Sequence, residues 1–298
     1  MADFTYTVPG SGVLSQEQRQ FYEDNGYIVF KNYVNHDFLD RAKARFIEII
    51  EGRVKKGFMV ILKDFSLTNK EGEERVTKIQ DWLYDDVLFD YANNRRLLDV
   101  VETFTGPNIT AVHSMLINKP PQGDPQFSYH HVHQDLHFFP FRPSERIVAA
   151  LTAIEPMTPE NGCLYVVPGT HKGQFYPHTY PEGFRFKFYH GIYQLNPDDL
   201  PKTYIRLEKG DVIFFHPLIL HGSGANLSTG FRKVICCHFA SSNCKMVKLE
   251  GTQAILAKEV EALFAKRGVT LEYFDLWRAK SRLVQGPVGE LQRFPSQL

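Results

Sequence analysis

His131-Val132-His133-Gln134-Asp135 holds a His-x-Asp triplet inside a segment, Tyr129 to Phe141, that is crowded with histidine and aromatic side chains. On a β-strand, side chains two apart leave the same face. His133 and Asp135 can therefore offer an imidazole nitrogen and a carboxylate oxygen to one metal ion. A second imidazole from elsewhere would complete the two-histidine, one-carboxylate face of non-haem Fe(II) oxygenases, which leaves the opposite positions open. The triplet alone decides little, because 12 His and 16 Asp in 298 residues make about 0.6 such triplets expected by chance.

The second informative stretch runs from Gly210-Asp211-Val212-Ile213-Phe214-Phe215-His216-Pro217 to His221-Gly222-Ser223-Gly224. His221 is the candidate third ligand, since it falls late enough for a returning strand to lie beside the first pair. His216 competes with it, but Pro217 interrupts strand pairing there, so His216 is assigned a structural role or one outside the metal's own ligands. Beyond them comes Gly230-Phe231-Arg232-Lys233, and period-two alternation sets Arg232, Val234, Cys236 and His238 on one strand face. An inward guanidinium among apolar side chains is costly unless an anion meets its planar fork. An internal ion pair or an outward face would serve as well. A metal triad with a buried Arg is what chelation of a dicarboxylate keto acid requires.

The elements that must position these residues follow a helix-then-strand pattern. Ser15 and Gln18 form a capping box for a short helix, with Gly26 as its left-handed stop before the apolar run Tyr27-Phe30. Asn35 caps a second helix whose Phe38, Leu39, Ala42, Phe46, Ile49 and Ile50 recur at three- and four-residue steps. A third helix is expected from near Asp86 to Gly106-Pro107. The stretch from Lys55 to Lys78 carries no clear period, although Thr77-Lys78-Ile79-Gln80 can form part of a pocket wall.

After Pro107, short β-branched and aromatic runs alternate with turn residues, and eight strands are expected. They are Ile109-Asn118, His131-Phe139, Ile147-Ile154, Leu164-Val167, Thr203-Arg206, Val212-Phe215, Ile219-Gly222 and Phe231-Phe239. The fold class is therefore mainly β with flanking α-helices, built on a double-stranded β-helix, the jelly-roll or cupin-like core. We expect one domain over 1–298, with a helical flank at 1–107, the core at 108–246 and a helical extension at 247–298. Residues 120–128 and 176–197 are long enough connections to act as lids.

With 34 basic and 34 acidic residues the net charge is zero, which argues against a nucleic-acid groove and for small-molecule work. No run reaches the length of a membrane span, and the N-terminus has no signal-peptide pattern. Cys163, Cys236, Cys237 and Cys244 suggest core packing in a reducing compartment rather than disulfides. The terminal Ser296-Gln297-Leu298 is like the small-polar-Leu peroxisomal address, with Gln in place of Lys.

Several long runs, in order, resemble the phytanoyl-CoA dioxygenase family. They are Phe104-Thr105-Gly106-Pro107-Asn108-Ile109, Met115-Leu116-Ile117-Asn118-Lys119-Pro120-Pro121, His133-Gln134-Asp135 through Phe141-Arg142-Pro143-Ser144, and Pro168-Gly169-Thr170-His171-Lys172-Gly173. Further on come Phe214-Phe215-His216-Pro217, His221-Gly222-Ser223-Gly224 and Gly230-Phe231-Arg232-Lys233. The resemblance covers about Leu14 to Leu283. It implies Fe(II), 2-oxoglutarate and O2 as reactants, stimulation by ascorbate, and hydroxylation at C2 of a branched acyl-CoA in fatty-acid α-oxidation, with release of succinate and CO2.

By the same resemblance His133, Asp135 and His221 hold iron, Arg232 and Ser223 bind the distal carboxylate of 2-oxoglutarate, and Lys78 and Met115 match further cosubstrate positions. One position departs: where the family carries a Trp near the cosubstrate this chain has Leu151, which implies that the Trp contact is lost. The resemblance implies an acyl-CoA as the small-molecule partner; the terminal tripeptide suggests a peroxisomal import receptor, and the neutral charge and short apolar runs suggest no nucleic acid and no membrane span. The rival readings are a 2-oxoglutarate hydroxylase of another lipid or small molecule, and a non-catalytic cupin-like metal-binding protein. His131, on the strand face of His133, is expected to line the pocket rather than bind metal.

Overall fold

Both helix caps read from the sequence form. A computed structural model describes residues 4–64, 67, 69–121, 128–181, 190–266 and 268–293. In it the first helix, α1 (Gln16–Asn25), opens on reciprocal bonds: the Gln18 amide donates to Ser15 Oγ at 3.2 Å and the Ser15 amide to Gln18 Oε1 at 3.0 Å. Asn35 Oδ1 accepts from the amides of Asp37 and Phe38 to start α2 (His36–Ile50). The expected third helix is two, α3 (Phe89–Ala92) and α4 (Arg95–Thr105), because the Asn94 side chain accepts from the Leu97 amide and restarts the helix there.

Gly26 ends α1 at φ +78°. A Cβ there would also lie 2.5 Å from Nδ1 of His171. That ring cannot easily retreat, since its Nε2 bonds Glu23 O at 3.0 Å and its face meets Tyr6. Gly26→Ala is expected to cost about 2–4 kcal/mol from the left-handed backbone and overpacking together. A denaturation midpoint would measure it, and an unchanged midpoint would show that His171 is free to move.

Two antiparallel sheets follow. Strands β1 (Tyr27–Phe30), β2 (Val60–Lys63), β3 (Val76–Gln80), β4 (Ile109–Lys119), β7 (Ile147–Ala153), β10 (Val212–Phe215) and β12 (Arg232–Ser241) form the large sheet in the order β1-β10-β7-β12-β4-β3-β2. Its last strand, β14 (Arg282–Gln285), also pairs with β4. The small sheet has the order β5-β11-β8-β9, from β5 (His130–His133), β8 (Leu164–Val167), β9 (Thr203–Tyr204) and β11 (Leu220–Ser223). A two-residue pair, β6 (Phe141–Arg142) with β13 (Lys245–Met246), lies apart. This is the jelly-roll architecture, mainly β with flanking helices.

Alternation on the central strands explains why every residue of β12 is buried. Val234 and Cys236 face an interior cluster with Leu151, Ile213 and Phe215 of the large sheet and Leu164 and Val166 of the small one. Ile235 and Cys237 face the other way, into a cluster with Phe38, Phe46, Val101 and Phe104 of α2 and α4. The helices thus cover the outer face of the large sheet, and the inner face is left for a site. All four cysteines are buried and free, as the packing expectation had it.

Three readings need correction. The expected strand His131-Phe139 ends at His133 and gives way to a 3-10 turn at Asp135–His137. The unassigned stretch from Lys55 to Lys78 contains β2 and the start of β3, which widen the large sheet beyond β4. The C-terminal extension, expected to be helical, also contains a strand. Its first helix, α5 (Gly251–Ala265), is followed by α6 (Tyr273–Lys280), whose Trp277 packs on Phe139 and Phe141, and then by β14. Parts of both expected lids, 122–127 and 182–189, and the tripeptide Ser296-Gln297-Leu298 lie outside the described residues. No helix among the described residues is long and apolar enough to cross a membrane.

Candidate active site

Strand β5 runs antiparallel to β11, and the register sets His221 directly opposite His133. Their rings stand 4.1 Å apart, centre to centre. Gln134 keeps extended backbone (φ −126°, ψ 124°), so Asp135 returns to the side of His133 although the strand has ended. Asp135 Oδ1 lies 3.5 Å from Nε2 of His133, and Oδ2 lies 3.5 Å from Nε2 of His221. One ligand atom from each of the three fits within 4.8 Å of the others, and all three residues are buried.

The imidazoles are prepared for a metal. Nδ1 of His133 meets His131 O at 2.8 Å, and Nδ1 of His221 meets Ile219 O at 2.9 Å. A carbonyl only accepts, so both Nδ1 atoms carry a proton and both Nε2 atoms face Asp135. Burial pushes the Asp135 pKa up, but His221 and then His238 outweigh it and hold the carboxyl well below the usual range. Against the lowering effect of burial, Asp135 in turn raises the His221 pKa, so in the metal-free protein a proton is favoured where a cation would sit, and one carboxylate with two imidazole nitrogens is a set that suits one octahedral divalent ion on one face.

Gln134, between the two candidate ligands in sequence, ties the site together. Its Nε2 donates to Gln174 O (3.0 Å) and Leu218 O (2.8 Å), and its Oε1 accepts from the Tyr176 amide. Its backbone amide donates to His178 Nε2 at 2.9 Å. One buried amide thus joins β5 to the approach to β11 and to the connection that follows β8. Burial and the neighbouring His133 lower the pKa of His178 to about 3, so it stays a neutral acceptor.

The other end of the interior is cationic. Arg232 begins the inner face of β12 with 2% exposure, and Lys119 of β4 is its register partner. Lys119 Nζ donates to Ser223 Oγ at 2.8 Å and to the carbonyl of Gly224. Arg232 donates to Gly162 O at 2.5 Å, while its Nε has no partner, and no carboxylate pairs with it among the described residues. Burial brings the guanidinium pKa down to about 10. Burial, with Arg232 next, holds the Lys119 ammonium well below its ordinary value. Two adjacent cations in an apolar barrel favour an anionic ligand.

Met115 and Leu151 flank Cys236 in register on the interior face, and Leu151 is packed into the apolar cluster there. Lys78 lies on β3, where burial lowers its pKa against the opposing charge of Asp135. The competitor His216 does not join the three ligand candidates. It ends β10 against Tyr6 and His171, and its Nδ1 accepts from the Leu218 amide. His131 is half-buried with its ring 4.2 Å from that of Tyr193.

The family model for phytanoyl-CoA dioxygenase (PhyH) matches residues 22–234, a span that includes the three ligand candidates, Lys78, Met115, Lys119, Ser223 and Arg232. The chain belongs to the phytanoyl-CoA dioxygenase family. The dioxygenase is 49% identical over 293 residues to "Phytanoyl-CoA dioxygenase, peroxisomal" of Rattus norvegicus, with 95% of this chain and 86% of that protein covered. It is 46% identical over 301 residues to "Probable phytanoyl-CoA dioxygenase" of Caenorhabditis elegans, with 94% and 96% covered. Among solved structures, EctD from S. alaskensis with 2-oxoglutarate and 5-hydroxyectoine superposes with a TM-score of 0.63 at 17% identity, over 82% of this chain and 83% of that one. The dioxygenase is thus an enzyme of the iron- and 2-oxoglutarate-dependent class, on the jelly-roll fold expected.

Sequence reasoning missed Gln134, His178 and Lys119 as parts of the site. Lys119 stands in a quoted run, but nothing in its spacing says that it faces Arg232. Alternation set His238 on one strand face with Arg232, without a role for it. It reaches Asp135 Oδ2 at 2.8 Å.

Proposed function

We propose that the dioxygenase hydroxylates C2, the carbon next to the thioester, of a branched phytanoyl-type acyl-CoA. One oxygen atom of O2 enters that C–H bond and the other enters the succinate formed from 2-oxoglutarate as CO2 leaves. In this reading His133, Asp135 and His221 hold Fe(II), Arg232 and Ser223 take the distal carboxylate of 2-oxoglutarate, and Lys78 and Met115 line its pocket. Bound ferrous iron supplies O2 activation coupled to oxidative decarboxylation of the keto acid.

The chain's own residues do the positioning. The carbonyls of His131 and Ile219 aim both Nε2 lone pairs. Lys119 donates to Ser223 Oγ, which leaves the hydroxyl proton free to meet a carboxylate. The observation that carries the reading is the pairing, within one barrel, of the His133–Asp135–His221 donor set with a buried Arg232 that meets no carboxylate among the described residues. The flanking helices share the core of the large sheet, which supports one catalytic domain over 1–298. Relatives named as peroxisomal support a peroxisomal location, with Ser296-Gln297-Leu298 as the address an import receptor would read. Ascorbate is expected to stimulate turnover.

The test loads the purified protein with Fe(II) without oxygen, then adds 2-oxoglutarate, O2 and a panel of branched and straight acyl-CoAs and free acids. Succinate formation that needs Fe(II) and rises with a branched acyl-CoA, together with a 2-hydroxy product, is the expected result. Decarboxylation that ignores every acyl-CoA would point to another lipid or small molecule. Metal and keto-acid binding with no decarboxylation at all would leave a binding protein.

A further inference from the structure

His238 lies on the strand face that Arg232 opens, and among the described residues it touches Asp135 without a task in the reaction. Resting on the reading of His133, Asp135 and His221 as an Fe(II) site, we infer that His238 is a positioning residue: its Nε2–H holds one oxygen of the Asp135 carboxylate, so that only the other oxygen is offered to the ion.

The geometry is specific. Nε2 of His238 lies 2.8 Å from Asp135 Oδ2, closer than either candidate ligand nitrogen, both of which stand 3.5 Å from the carboxylate. An ionised carboxylate only accepts, so the proton of this bond sits on Nε2. The ring is confined: Phe139 meets it edge-on with centres 5.1 Å apart, His113 stands opposite in register with ring centres 5.6 Å apart, and Phe215 closes the side towards β10 at 6.4 Å. Its backbone is paired on both sides, to β4 and β7.

A histidine kept only for packing would be a poor choice here. Its Nδ1 has no partner among the described residues, so burying the ring leaves one nitrogen unbonded. Phenylalanine or leucine would fill such an apolar recess without that penalty. What the imidazole adds is the bond to Asp135.

The consequence lies in counting positions. An octahedral ion with three protein donors keeps three positions open. A 2-oxo acid chelates through two of them, and O2 needs the third. A carboxylate free to bind through both oxygens would occupy that third position. By engaging Oδ2, His238 keeps Asp135 a one-oxygen ligand.

Co(II) is the probe, since its affinity can be read by equilibrium dialysis and its d–d absorption reports coordination number. In His238→Leu the metal-free protein is expected to melt as a folded chain, lose about 10–100-fold in Co(II) affinity and show an altered absorption in the presence of 2-oxoglutarate. His238→Gln, whose amide nitrogen falls near the place of Nε2, is expected to recover most of both. His238→Asn, whose amide falls short, is not expected to recover either. A folded His238→Leu with wild-type affinity and spectrum would overturn the inference, as would equal affinities in the Gln and Asn variants, which decide the matter if the Leu variant does not fold. Wild-type protein that binds no Co(II) would sink the metal-site reading itself, and this inference with it.

Discussion

Arg232→Met raises the KM for 2-oxoglutarate by about 10²- to 4 × 10³-fold and removes the thermal stabilisation that 2-oxoglutarate confers, while metal affinity stays within a few-fold of wild type. The guanidinium is buried, donates to a single described carbonyl and faces Lys119 across the ladder. In the unliganded protein it is a charge short of a partner, and the keto acid's far carboxylate provides one. Breaking a buried, hydrogen-bonded charge pair by deleting one member costs about 3–5 kcal/mol, which at 1.4 kcal/mol per factor of ten gives the quoted range. The sign on stability is the distinctive part. Deleting a buried cation that repels Lys119 should leave the ligand-free protein as stable as wild type or more so, even as ligand affinity collapses. Melting curves with and without 2-oxoglutarate, beside steady-state kinetics, check both halves. An unchanged KM would move the distal carboxylate elsewhere.

Asp135→Asn abolishes turnover and lowers divalent-metal affinity by at least about 10²-fold, with the metal-free protein still folded. Asp135 is the one carboxylate among four imidazole-bearing neighbours and itself, for His133, His221 and His238 all reach it and His178 holds the adjacent peptide. Against the cost of burial, those imidazoles keep it ionised well below the usual carboxylate range. The Asn amide fills the same volume and can still accept from His238, so the fold has little to lose. The ion, however, loses the only negative charge in its protein ligand set, and charge neutralisation is what offsets its desolvation. Metal titration of the variant, followed by succinate assay at saturating Fe(II), measures the two effects separately. Full activity at any metal concentration would remove Asp135 from the ligand set, and His133→Ala offers the same test for its neighbour.

How much of this was legible beforehand depends on whether the signal is local. The Ser15 and Asn35 caps, the left-handed Gly26 and the buried face of α2 follow from residues within one or two turns, and each forms as read. The strand Val212–Phe215 also has its expected limits. The failures share one feature. Strands β2 and β3 look mixed in sequence because β2 has no buried position and β3 only two, and their pairing depends on β4, to which β3 bonds directly and β2 only through β3. The segment after His133 looks like strand because it is aromatic, yet those aromatics, Phe139 and Phe141, fill a cluster with Trp277 of a helix more than 130 residues away.

For the site, the chain alone determined which donors are available and which share a face: His133 with Asp135, and Arg232 with His238, since side-chain alternation is set by the backbone of a single strand. The tertiary structure decided which of them meet. His221 rather than His216 joins the pair because β11 lies beside β5 in a register with His221 opposite His133. Lys119 joins Arg232 because β4 and β12 pair along their whole length. Register is written in hydrogen bonds between strands that are far apart in the chain, and no spacing within one strand encodes it. The carbonyls of His131 and Ile219, each two residues before its ring, set the tautomer locally, and the β5–β11 register then brought the two rings to one Asp135 as candidate metal ligands.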